Sequence, residues 1–153
     1  MSAAPARERK SKTLATWIAL VGGGVGLHRF YLHGLRDVWG WLYPLPFALG
    51  LYGVRRAQSL GQDDGLSWLL IPLLGFAVAA SMLTAIVYGL MPDERWDARH
   101  NPHAPASPAS GWPAVIGVVL ALFVGSGVLM ATLAFSAQRY FEWQIEEGRR
   151  ISQ

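Results

Sequence analysis

Cysteine is absent from this chain and charge is scarce. Without cysteine there are no disulfides, no thiolate metal sites and no thiol catalysis. Charged residues make up only 15% of the sequence, below the roughly one quarter typical of soluble domains. They are confined to the tails and connections. Lysine is nearly missing too, being found only at Lys10 and Lys12, and this preference for arginine suggests a GC-rich bacterial source. No pair of catalytic carboxylates, Ser/His/Asp set or nucleophile elbow can be assembled, so the sequence points away from an enzyme.

What remains is hydrophobic, and it is arranged in blocks rather than in amphipathic periods. A helix needs about 20 apolar residues to cross a hydrocarbon core of roughly 30 Å. Leu66 to Met91 and Trp112 to Ser136 carry no charge and reach that length. The block Leu14 to Leu27 reaches it if Phe30, Tyr31 and Leu32 continue the helix past His28 and Arg29. Val38 to Val54 is near the lower limit and holds Pro44 and Pro46, which predict a kink. The expected fold is an all-α integral membrane protein, a bundle of four transmembrane helices at about 13–32, 38–54, 66–91 and 112–136. A signal peptide would also begin with a basic stretch and a short apolar run, but no small-x-small cleavage site precedes a polar start here.

The connections follow from the same pattern. Residues 1–12 form a basic tail with Arg7, Arg9, Lys10 and Lys12. Residues 55–65 are polar and end in an Asp-Asp-Gly turn signal. Residues 92–111 turn from charge to Pro, Ala and Ser, predicting a flexible loop, and 137–153 form a tail that extends the last helix. The positive-inside rule places both termini in the cytoplasm: the basic tail, Arg55, Arg56, Arg139, Arg149 and Arg150 lie inside, leaving Arg29, Arg36, Arg95 and Arg99 outside. Trp17, Trp39, Trp41, Trp68, Trp112 and Trp143 fall near span ends, as an aromatic belt would. The expected location is the cell membrane, as a multi-pass protein of a bacterial inner membrane.

The most specific motif is Gly26-Leu27-His28-Arg29-Phe30-Tyr31-Leu32, followed by His33-Gly34. The segment from about Lys12 to Gln58 resembles the TM-two domain family, a two-helix membrane hairpin with a Gly-x-Asp/His-Arg-Phe-Tyr-Leu-Gly-like signature, here in its bacterial histidine form. Gly26, His28, Arg29, Phe30, Tyr31 and Leu32 match it. His33 departs from it, standing where the family usually has glycine. The resemblance implies a membrane hairpin at 13–58, with 59–136 as a second hairpin, and no reaction, because the family has no established one.

Several residues carry weaker signals. His28 and Arg29 near a membrane boundary mark a functional site by default, although snorkelling to headgroups with Phe30 and Tyr31 as anchors accounts for them more simply. Gly22 and Gly26 lack the Lys-Ser/Thr of a phosphate loop and form a small-xxx-small face. The same spacing recurs at Ala77, Ser81, Ala85 and Gly89, and at Gly117, Ala121 and Gly125, predicting helices that pack on one another or on identical copies. Asp93, Glu94, Asp97, His100 and His103 could gather a metal on paper, but a Pro- and Ala-rich loop offers no rigid second shell, so neither metal nor cofactor is expected. The expected partners are the bilayer and another membrane protein or a second copy, with no nucleic acid. The expected role is a non-enzymatic structural or interaction component, with a small oligomeric transporter or channel as the alternative.

Overall fold

The computed structural model describes residues 9–61, 63–105 and 108–152. Arg7 of the basic tail therefore lies outside the described residues. The described chain is all helical: α1 Lys12–Gly22, α2 Leu27–His33, α3 Val38–Leu42, α4 Pro44–Leu60, α5 Gly65–Leu90, α6 Asp93–His100 and α7 Trp112–Ile151. Of these, α5 and α7 are long and apolar enough to cross a membrane, with mean hydropathies of 2.3 and 2.5 over their most apolar windows.

These two helices form the frame. They run antiparallel, and their contacts keep one register. Gly89 admits Val118, Gly125 admits Met82, and Gly75 admits Thr132, while Arg139 lies over the Trp68 ring at 4.8 Å. Each pair steps by seven residues on both helices, the spacing of a left-handed supercoil. Ala85 and Ala121 are fully buried within this seam beside Met82 and Ala19. All nine small positions singled out by spacing are accounted for in one chain: Ala77, Ser81, Ala85, Gly117, Ala121 and Gly125 are buried, Gly89 faces Val118, Gly22 meets Leu27, and Gly26 meets Gly40 and Tyr43. Of the two expected outcomes, packing on one another or on identical copies, these contacts are of the first kind.

α3 and α4 run down the other side of α5. The chain breaks at Tyr43, where α4 restarts with Pro44 in its first turn, a position proline tolerates because no N–H is needed there. Tyr43 itself keeps helical torsions, φ −59° and ψ −41°, so the prolines interrupt the hydrogen bonding while the backbone continues on a helical course. Lower down, methyl groups at Gly50 or Gly53 would collide with the α5 backbone at Leu74 and Ile71, so glycine sets how closely the helices approach around Pro72. The α4–α5 connection is a built turn. Arg56 holds Asp64 through two bonds of 2.6 and 3.0 Å, and Asp64 caps α5 by accepting from Ser67 N–H at 3.0 Å. Arg56 and Ser67 together hold the Asp64 carboxyl at about 2.

Two expectations fail. The first span is not one helix. α1 stops at Gly22, a 3-10 turn follows at Gly23–Val25, and α2 returns toward the start. Both ends of this hairpin meet: Tyr31 Oη accepts from Ser11 N–H at 2.8 Å and Lys10 Nζ donates to the Leu32 carbonyl. With 11 residues, α1 reaches about 16 Å, half of a hydrocarbon core. The connection 92–111 also departs from a flexible loop, because it begins with α6. Asp93 and Glu94 lie in the first turn of α6 and Arg99 and His100 in the last, matching the helix dipole at both ends.

These two corrections are linked. Lys12 Nζ reaches Asp93 Oδ1 at 2.7 Å and the Met91 carbonyl at 2.8 Å, so the start of α1 and the end of α5 share one end of the bundle. The opposite end holds the α4–α5 turn and the close of α7. An arrangement with the N-terminal segment and 92–111 on opposite sides does not fit these contacts.

Candidate functional site

The hairpin turn owes its shape to glycine. Gly26 has a φ of 78° and donates its N–H to the Gly23 carbonyl, a conformation that L side chains rarely adopt. A methyl group there would also strike the Gly40 carbonyl and the Tyr43 Cβ. Gly23 and Gly24 let the turn approach Ser81 of α5 and Phe47 of α4. α4 and α5 cover this non-helical backbone. At the other end of α2, Gly34 takes a φ of 82° and its N–H returns to the Phe30 carbonyl. The left-handed position is thus Gly34, and the exposed His33 leaves that turn unhindered.

His28 follows the turn directly and is only 2% exposed. Its ring meets Tyr43 edge-on at 5.1 Å and Tyr88 at 6.1 Å. Its Nδ1 is buried with no hydrogen-bond partner among the described residues. Aromatic contacts continue outward from Tyr88 to Trp96 at 5.6 Å and from Trp96 to His100 at 4.3 Å. A row of rings therefore links the buried imidazole to the edge of the bundle. His28 also lies where two interrupted helices meet, the α1–α2 turn and the α3–α4 break.

The other motif residues act close to home. Arg29 Nε pairs with Asp37 at 2.7 Å, and this bond holds the Asp37 carboxyl below its ordinary range. Asp37 was not singled out by sequence reasoning, yet it is the only acid between Glu8 and Asp63 and could have been found on that ground. Asp37 also caps α3 by accepting from Trp39 N–H. Phe30 packs on Gly40 and against Trp41 at 5.2 Å, Tyr31 receives Ser11, and Leu32 is buried with Ala15 and Trp96.

α6 closes the hairpin. Trp96 is 1% exposed and donates from Nε1 to the Lys10 carbonyl at 2.8 Å. Asn101 pairs with Lys10 in both directions, accepting its N–H at 2.9 Å and donating to its carbonyl at 3.1 Å. Asp93 receives Lys12 and Ser110 N–H, which together lower its carboxyl to about 2. Asp97 receives Asn101 and lies 3.6 Å from Arg9. Burial against Trp96 lowers the His100 imidazole from its ordinary value. Of the acids considered as metal ligands on paper, Asp93 and Asp97 are thus turned toward the N-terminal segment. No protein-family model, curated protein or solved structure matches the chain.

Proposed function

We propose that this chain is an integral membrane protein with three crossings and one re-entrant hairpin, serving as a non-enzymatic component that associates with other membrane protein. α5, α7 and the broken α3–α4 segment make the crossings, and α1–α2 enters and leaves by one face. Among the described residues, lysine and arginine number seven on the hairpin side and five on the other. The positive-inside rule then favours a cytoplasmic hairpin and α6, with the C-terminus outside. The TM-two-like signature at Gly26 to Leu32 fits a short membrane hairpin and belongs to this reading.

The observation that carries association is the exposure of α7, of whose most apolar window only 17% is buried within the chain. Single cysteines are clean probes in a cysteine-free chain. Arg9→Cys and Arg99→Cys should label from one face of the membrane and Ser59→Cys from the other; labelling of Arg9→Cys and Arg99→Cys from opposite faces refutes the hairpin. Crosslinking in native membranes that recovers only monomer refutes association.

A second reading, a small transporter or channel, is favoured by one observation: the unpartnered His28 lies at the meeting of two interrupted helices, where transporters place their binding sites. Flux through reconstituted liposomes that disappears in His28→Leu would establish it over the first.

A further inference from the structure

The row of rings between His28 and His100 borders polar groups that the chain itself does not bond. Tyr43 and Tyr88 both meet the His28 ring edge-on, and no hydrogen bond from either hydroxyl is found among the described residues. Nδ1 of His28, on a side chain only 2% exposed, is likewise unpartnered. Buried polar atoms are nearly always bonded, so a bare nitrogen between two unbonded tyrosines points to a partner from outside the chain.

The charge around these groups is positive. Arg29 and Arg99 both act on the Tyr88 side chain, as does Tyr43, so guanidinium groups from α2 and α6 converge on the last turn of α5. His33 acts on both His28 and His100. Asp37 takes Arg29 through Nε and lies 3.9 Å from His33; among the described residues no other hydrogen bond engages that guanidinium, whose terminal nitrogens remain able to donate. Arg99 enters no ion pair among the described residues. The sequence of α6 explains why. At 100° per residue, Arg99 lies about 60° to one side of the buried Trp96 and Asp93 about 60° to the other, so the acids that meet Lys12 and Arg9 face away from it.

We propose that Arg29, Arg99, Tyr43 and Tyr88 hold a phosphate group. α2, the α3–α4 junction, α5 and α6 present these donors from different sides, which suits a tetrahedral oxyanion better than a flat carboxylate, and guanidinium forks match phosphate oxygens. His28 adds a donor in the tautomer that carries its proton on Nδ1. Tyr88 lies in the last turn of α5. On the membrane reading above, on which the lipid source alone rests, that is the level of the headgroups, where basic pockets between helices take anionic lipid. The phosphate belongs either to such a lipid or to a free anion in the adjoining water, and the test separates the two.

The full chain, purified in neutral detergent, is titrated calorimetrically with phosphatidylglycerol in mixed micelles, with phosphatidylcholine in the same micelles, and with inorganic phosphate. Saturable binding of phosphatidylglycerol beyond that of phosphatidylcholine supports the site with a lipid as its source, and saturable binding of inorganic phosphate supports it with a free anion. Either affinity should fall about tenfold or more in Arg99→Gln and in Tyr88→Phe, and stay unchanged in Arg149→Gln at the far end of the bundle. Arg99 is exposed and the Tyr88 hydroxyl is unbonded, so both variants should keep the parent's unfolding midpoint, and Arg99→Lys should recover part of the affinity that Arg99→Gln loses. Equal weakening by Arg99→Gln and Arg149→Gln, full affinity in Tyr88→Phe and Arg99→Gln, or no saturable binding of either probe overturns the proposal. Release of the chain from membranes by carbonate refutes the membrane reading instead, and leaves the inorganic phosphate titration to decide the site.

Discussion

The contact between Lys12 and Asp93 decides between a re-entrant hairpin and a conventional first span, and its energy can be measured. Lys12 is 8% exposed and Asp93 28% exposed, with 2.7 Å between their charged atoms. Lowering the Asp93 carboxyl from 3.8 to about 2 corresponds to about 2 kcal/mol at 1.36 kcal/mol per unit. The Ser110 bonds supply part of that lowering, and solvent screening of the partly exposed carboxylate reduces the Lys12 share to about 1 kcal/mol. Asp93→Asn retains an acceptor for Ser110, and Lys12→Met retains the length of the lysine stem. A double-mutant cycle on reversible unfolding in mixed micelles then isolates the pair. Because the folded-state carboxyl is lowered, the stabilisation is complete above about pH 4 and is lost as the pH falls toward 2. The difference between the parent and Asp93→Asn should shrink over that interval, which separates it from Asp64 titrating in the same range. Additivity of the two substitutions to within about 0.3–0.5 kcal/mol would mean that the charges do not meet, and the shared end of the bundle would be refuted.

Three further outcomes follow from the packing. Trp96→Ala empties a site that is 1% exposed and releases the Lys10 carbonyl, so unfolding should become easier by about 3–5 kcal/mol; a loss under 1 kcal/mol would show that α6 does not seal the hairpin. Gly50→Ala forces a methyl group into the Leu74 backbone and should cost about 1–3 kcal/mol, whereas Gly148→Ala, in open space on a helix, should cost nothing and gain up to about 1 kcal/mol in the same denaturation assay. His28→Leu removes a buried nitrogen that has no partner, a change expected to be neutral or stabilising; marked destabilisation would show that the imidazole holds a bond essential to the fold.

The parts of the fold legible in the sequence are those governed by length and charge alone. α5 and α7 stand out because no charged residue interrupts 66–91 or 112–136. The hairpin was hidden by the same criterion, since 13–32 counts as one span if its glycines are read only as packing residues. The missing signal was local: four of the five residues 22–26 are glycine, and one of them, Gly26, takes a positive φ. Likewise, the Pro- and Ala-rich second half of 92–111 obscured its first half. There, Asp93-Glu94 and Arg99-His100 already carry the charge order of a short helix. Which partner each ion takes was not legible, because Arg29 with Asp37 and Lys12 with Asp93 are chosen by the path of the backbone. The small-residue spacings marked close approach correctly but could not say whether the approaching helix belonged to the same chain.

The closure of the hairpin by α6 also sets an order of events during synthesis. Lys10 and Trp96, which join the two, are 86 residues apart in sequence. At about 5–20 residues per second, the ribosome needs on the order of 4–17 s to deliver the second after the first. For most of that interval Ala19 and Gly23 have neither Ala85 nor Ser81 to pack against, and Lys12 lacks the Asp93 carboxylate. On the re-entrant reading proposed above, the hairpin is made before the parts that fasten it, and completion of α6 is the step that closes it.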